Sequence, residues 1–418
     1  MAQLADDCFA FGGALMSADA ALALLTERVV TLPDAETISL RGAVGRVLAE
    51  DVVAGFSVPP HDNSAVDGYA VRHADLDPLA PTRLPVVGRA AAGHPLDGPV
   101  APGTALRIFT GAPMPVGTDT VMMQEDCRLE GDHVSISPGI KPGANRRRAG
   151  EDIAAGATVL ARGIRLRAQE IGVAASLGRT GLSVYRPLRV AVLSTGDELR
   201  EPGTVLPAGA IYDSNRHALM ALLDGLGLAT TDLGIQPDQP AALRRVLADA
   251  AASHDVVMSS GGMSTGEEDH VKAALVALGS LHFWRLAIKP GRPVALGQIG
   301  RVPFLGLPGN PVAAMVTFLT LARPLLLRLQ GASHIHPNLF RVRADFDYRK
   351  KPGRREYVRA TIARDASGQP VAARHPKDGA GILTSMAESQ GLVVLDEQLT
   401  SLERGGLVDY LPFTEVMP

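Results

Sequence analysis

The sequence is poor in the residues on which several common functions depend. Only two cysteines, Cys8 and Cys127, occur in 418 residues, without CxxC spacing. Neither a disulfide framework nor a cysteine-built zinc site is therefore expected, and a reducing compartment is. Aromatic residues make up 4% of the chain, too few for a base-stacking platform. With a formal net charge of −3 and no basic run longer than Arg146-Arg147-Arg148, a nucleic-acid partner is not expected either. Residues 1–13 carry Asp6 and Asp7 and no basic region ahead of an apolar stretch, unlike a secretory signal. The longest apolar stretch, Val312 to Leu329, is interrupted by Arg323-Pro324 and reads as a buried helix, not a membrane span. These absences predict a soluble, cytoplasmic protein with no membrane partner.

What is present is globular: 46% hydrophobic residues in a chain too long for one ordinary core. Ser17 is placed to cap a helix running to about Val29. From Val53 to about Asp152, short β-like runs (84–87, 105–109, 121–124, 133–136) alternate with Pro and Gly clusters, predicting a small all-β domain. A short helix follows over 168–177, then a strand ending near Tyr185. From Arg189 to about Gln330 four strands (190–193, 230–235, 256–258, 302–305) each precede a helix (214–226, 240–253, 271–278, 312–329). That alternation predicts a mostly parallel sheet with helices on both faces. The tail returns to β-like runs. The expected architecture is thus multidomain α/β plus β. An N-terminal and linking domain (1–54 and 157–187) receives an inserted β domain (55–156); a central α/β domain (188–331) and a C-terminal β-barrel-like domain (332–418) follow.

Open α/β sheets bind ligands beyond the carboxyl ends of their strands. Three loops there are small and polar: Ser194-Thr195-Gly196-Asp197-Glu198, Ser259 to Asp269, and Leu307-Pro308-Gly309-Asn310-Pro311. In the second, the Gly-Gly turn Ser260-Gly261-Gly262 and then Ser264 and Gly266 look like an anion cradle at a helix start, yet Glu267, Glu268 and Asp269 follow directly. A divalent cation between anion and carboxylates would reconcile the two, which points to Mg²⁺-assisted chemistry on a phosphate-bearing substrate. Asp197, Glu198, Asp238 and Asp269 are either such a cation shell or first-turn and capping residues of their helices. Arg285 and Lys289 fall on one side of the strand-like segment Trp284–Pro293, where Lys289 is a positioned anion ligand or a solvated surface lysine. Asp67-Gly68 fits a turn, and Arg146-Arg147-Arg148 is a solvated loop or a phosphate clamp.

Together these segments resemble the molybdopterin molybdenumtransferase family, related to the E domain of gephyrin. The matching stretches are Asp62–Val71, Thr110–Pro115, Asn145–Asp152, Ser194–Glu198, Ile211–Asn215, Ser259–Asp269, Lys289–Gly291 and Leu307–Pro311, in the family's order over nearly the whole chain. The resemblance implies insertion of molybdate into the dithiolene of adenylylated molybdopterin, with release of AMP and with Mg²⁺ or a similar cation. Carried over by position, Glu198, Asp238 and Asp269 are catalytic, with Asp197 beside them in the metal shell. Lys289 is the essential lysine; Arg285, Lys289 and Arg359 form the oxyanion pocket. Ser194, Thr195, Gly196, Ser260, Gly261, Gly262, Ser264, Gly266, Pro308, Gly309, Asn310 and Pro311 bind substrate. Asp67, Thr110 and Arg147 match residues supplied by the other subunit of a homodimer. The adenylyltransferase that makes the substrate and the enzymes that accept the cofactor are the implied partners. The chain departs from the family at Arg285, where many members have Lys, and at Ala380, where many have Ser. Met263 and Val66 are milder hydrophobic exchanges. Two rivals stay open: an adenylyltransferase acting on molybdopterin and ATP, and a scaffold protein that keeps the fold without the chemistry.

Overall fold

The computed structural model describes residues 15–261 and 270–417, with backbone only at 25, 26, 28 and 282–285. The chain forms two compact units, one of Met1–Ala49, Arg162–Arg167 and Leu182–Pro418, the other of Glu50–Ala161 and Ala168–Gly181.

In the first unit, Ser17 does cap the opening helix Ala18–Arg28, its Oγ accepting from the Ala20 N–H at 3.1 Å. The centre of this unit is a six-stranded sheet. Its order is Ala229–Gln236, Arg189–Thr195, Val256–Ser260, Val302–Leu307, Pro293–Ile299 and Gly279–Arg285. The first four strands run parallel and the last two antiparallel. The parallel strands read as continuous apolar runs because both faces are covered. Val190, Val192, Val256 and Met258 point to one side, with helices Asn215–Gly225 and Pro311–Thr317; Ala191, Leu193 and Val257 point to the other, with Pro240–Ser253 and His270–Leu278. All seven of these strand side chains are fully buried, and each large one stabilises the fold by about 1.5–3 kcal/mol.

The helix 311–329 is long and apolar enough to cross a membrane, but 83% of it lies inside the protein. It is a core helix. Its middle, Phe318–Ala322, widens to π spacing just before Pro324, which lacks the N–H needed to continue an α-helical ladder.

The segment expected as one strand over 284–293 is two. Gly279–Arg285 ends the central sheet, whereas Ile288–Lys289 pairs in parallel with Arg355–Glu356 of the C-terminal sheet. Arg285 and Lys289 therefore stand on different sheets, and no common strand side relates them. The C-terminal strands close a five-membered barrel in the order Arg355–Arg364, Gly391–Leu395, Leu407–Pro412, Phe340–Ala344, Pro370–Arg374 and back to the first. Val358, Ala360, Ala372, Val393 and Val408 fill it.

The second unit holds a six-stranded sheet in the order Thr120–Met123, Gly68–Val71, Ala105–Ile108, Thr82–Ala90, His133–Ile136, Cys127–Glu130, together with the helix Ala168–Ser176. Gly68 is demanded by this packing: a Cβ there would lie 1.7 Å from the Met122 carbonyl oxygen. That close approach fixes the backbone next to Asp67.

Candidate active site

A cavity of about 850 Å³ opens in the first unit at the carboxyl ends of the parallel strands. Its floor is made by the three expected loops, which are drawn together by glycine. Gly261 has φ +82°, and a Cβ on it would sit 2.6 Å from the Thr195 carbonyl oxygen, so only glycine lets the second loop lie on the first. Gly309 lies beside Gly261, where a Cβ on it would make ordinary contact with the Gly261 Cα at 3.9 Å. Asn215 joins second loop to third: its Nδ2 donates to Ser260 Oγ at 2.9 Å and to the Gly309 carbonyl at 2.7 Å. Around this floor the hydroxyls of Ser194, Thr195 and Ser259 are buried with no hydrogen-bond partner among the described residues. Buried hydroxyls without partners are costly, and a polar ligand satisfies them.

Of the residues expected at the site, Thr195, Gly196, Glu198, Asp238, Gly261, Lys289, Pro308, Gly309, Asn310 and Arg359 line this one cavity. Ser194 and Ser260 lie just beneath it as buried strand ends, and Pro311 starts the core helix. Asp197 is exposed and does not line it. Gly262, Ser264, Gly266 and Asp269 lie outside the described residues, as do Glu267 and Glu268, and the Arg285 side chain is likewise not described. Asp67, Thr110 and Arg147 belong to the second unit. There the Asp67 Oδ1 accepts from both the backbone N–H and the hydroxyl of Thr110, each at 2.8 Å. The two bonds, the backbone one foremost, hold this exposed carboxyl below the usual carboxylate range. Arg147 pairs with Asn63 across a two-residue ladder and its side chain is exposed.

The cavity is lined by charges of both signs. Glu198 and Asp238 bring carboxylates; the Glu198 side chain folds back over Gly196, whose Cβ would lie 2.6 Å from its Oε2. Among the described residues no group of three His, Cys, Asp or Glu side chains is placed to hold a metal. Lys289 and Arg359 bring cations. Arg359 is buried and rigidly held, its Nε donating to Ser385 Oγ at 3.0 Å and its Nη2 to the carbonyls of Lys377 and Gly379 at 3.2 Å. Burial lowers its pKa from the ordinary arginine value. Ala380 reaches the rim through its backbone, its carbonyl accepting from the Val312 N–H at 2.9 Å at the start of the core helix.

Several lining residues had no role assigned from sequence, the ionisable ones being Arg292, Arg354, Tyr348, Glu356, Tyr357 and Asp378. Arg292 was within reach, since Lys289-Pro-Gly-Arg292 carries two cations around one turn. Glu356 comes from the barrel strand Arg355–Arg364 and Tyr348 from the short strand Tyr348–Arg349 just before it, and both are brought in by contacts that no local pattern announces.

Comparison with known proteins agrees across the whole chain. Residues 16–178 match the model described as MoeA N-terminal region (domain I and II), 191–328 the probable molybdopterin binding domain, and 341–413 the MoeA C-terminal region (domain IV). A Haemophilus influenzae protein named molybdopterin molybdenumtransferase is 38% identical over 96% of this chain and all of its own length. The chain belongs to the molybdopterin molybdenumtransferase family. A relative of that name from a Nostoc species is 36% identical over 91% of the chain and 89% of its own. The crystal structure of a molybdopterin biosynthesis MoeA protein from Pyrococcus horikoshii superposes with a TM-score of 0.82 at 29% identity, covering 95% of this chain and 99% of that one. The family's fold, a molybdopterin-binding α/β domain with β domains before and after it, is the fold seen here. In this chain Lys289, Arg359, Glu198 and Asp238 line one cavity.

Proposed function

We propose that the protein inserts molybdate into the dithiolene of adenylylated molybdopterin and releases AMP, as the last step of molybdenum cofactor synthesis. The observation that carries this reading is that Lys289 and Arg359 line one cavity with Glu198 and Asp238 above a glycine-built floor. The strand-end loops hold the pterin's phosphates through backbone N–H groups and the Thr195 hydroxyl, which lines the cavity without a partner among the described residues. Lys289 and Arg359 hold the tetrahedral oxyanion. Mg²⁺ binds by one or two carboxylates plus substrate phosphates, so Glu198 and Asp238 fit it without a third ligand; Asp197 and Asp269 are the remaining candidates. Once bound, the ion neutralises charge building on the phosphates.

The proposed assembly is a cytoplasmic homodimer in which Asp67, Thr110 and Arg147 of one copy serve the cavity of the other. Receipt of substrate from the adenylyltransferase, and delivery of product to cofactor-accepting enzymes, go with the same reading. A mixture of Lys289→Ala and Asp67→Ala proteins, each inactive alone, is expected to regain about a quarter of wild-type activity, because half the dimers are mixed and each has one intact site. Activity that stays at the level of the separate variants contradicts a shared site.

The function is tested by supplying adenylylated molybdopterin, Mg²⁺ and molybdate, and asking whether the product reconstitutes a cofactor-free molybdoenzyme. Reconstitution is the expected result. Formation of adenylylated molybdopterin from molybdopterin and ATP would instead assign adenylyl transfer, and the absence of both activities would assign a scaffold.

A further inference from the structure

We infer that Glu356 is the positioning residue for Lys289: its buried carboxylate fixes the ammonium where the oxyanion arrives and limits how tightly the pocket holds that anion. The inference rests on the oxyanion reading of the cavity's cations.

Glu356 lies on the barrel strand Arg355–Arg364, and its side chain is 4% exposed. One oxygen, Oε2, accepts from Lys289 Nζ at 3.1 Å and from the Tyr348 hydroxyl at 2.8 Å. A buried carboxylate needs a counter-charge, and Lys289 supplies it. The two members of the pair differ sharply in freedom, for the Lys289 side chain is 53% exposed. An exposed lysine on a four-carbon stem roams through many rotamers unless something holds its head group. Here the hold comes from the wall of the cavity. The backbone reinforces it, since Lys289 and Glu356 are direct partners in a parallel ladder of the C-terminal sheet.

Tyr348 supports the same geometry. Burial, and then the Glu356 carboxylate, push its phenol above the ordinary tyrosine range, so it stays a donor and orients the carboxylate. Arg359 has a different support, a serine hydroxyl and two backbone carbonyls, all neutral. Of the two cations assigned to the anion, Lys289 is thus hydrogen-bonded to a carboxylate, whereas Arg359 is hydrogen-bonded to neutral groups and feels the Asp378 carboxylate through space. An arriving dianion must compete with Glu356 for Lys289. Aim is gained and affinity is given up.

The test is Glu356→Gln in the full-length protein, which keeps shape and removes charge. Calorimetric titration with molybdate alone is expected to give a dissociation constant at least threefold lower than wild type. The turnover number with adenylylated molybdopterin and Mg²⁺ is expected to fall at least tenfold. A purely structural role cannot tighten anion binding, so that split identifies positioning. Unchanged or weaker molybdate binding in Glu356→Gln, or an unchanged turnover number, overturns the inference while leaving the oxyanion reading standing if wild type binds molybdate. Absence of molybdate binding in wild type overturns both. Should Glu356→Gln not fold, Glu356→Asp retains the charge one methylene short. It is expected to keep wild-type molybdate affinity and lose at least fivefold in turnover number; full turnover in it overturns the inference.

Discussion

Lys289→Ala is expected to lower the turnover number by about two to three orders of magnitude, the usual cost of deleting one preorganised charge from a site that stabilises a developing anion. The side chain is half exposed and buries little apolar surface, so the fold survives. Its removal leaves Glu356 without the counter-charge but with the Tyr348 hydroxyl, and the expected loss of stability is about 1–3 kcal/mol. Molybdate affinity should fall along with turnover. The check is a steady-state comparison, with circular dichroism to confirm the fold; turnover within a few-fold of wild type would return Lys289 to the role of a surface lysine.

The second large effect is on stability. Arg216 is 2% exposed, and it bonds Asp213 at 3.0 Å, Glu201 at 2.5 Å and also Asp232. Burial alone would lower its pKa, but the hydrogen bonds to Asp213, Asp232 and Glu201 outweigh that and raise it. Asp213 is itself 1% exposed. Arg216→Met strands that carboxylate and is expected to cost about 3–5 kcal/mol. The thermal midpoint should fall by roughly 10 °C. Replacing Asp213 by Asn in the same protein should recover part of the loss, because the stranded charge is then gone. Function should suffer too. Glu201 and Asp213 flank the parallel pair Leu199–Arg200 and Ile211–Tyr212, which begins directly after Glu198, so loosening Arg216 loosens a carboxylate of the cavity. A midpoint within 2–3 °C of wild type, roughly what 1 kcal/mol gives in a unit of this size, would contradict the account.

Much of this site was legible because it is local. The Thr195–Glu198, Ser260–Gly261 and Leu307–Pro311 segments each carry glycine at the carboxyl end of a parallel strand, and the crevice rule locates such loops before any contact is known. The helix over 240–253 was equally plain, with Pro240 at its start and leucines at 243 and 247 facing the core. The reading over 284–293 treats the four-residue spacing of Arg285 and Lys289 as one strand side, whereas the two stand on different sheets. Only seven residues separate Arg285 from Pro293, too few for the crossover a parallel connection requires, and that spacing was the missed signal for an antiparallel pair. Glu356 and Tyr348 were beyond such reasoning. Glu356 meets Lys289 across 67 residues of chain, and Tyr348 joins them through its bond to Glu356.

The most direct test of the function proposed for this cavity is AMP release from adenylylated molybdopterin by the purified protein with Mg²⁺, measured with and without molybdate. AMP release that requires molybdate, and is lost in Lys289→Ala, is the result expected. AMP release at the same rate without molybdate, or none with it, would contradict the account.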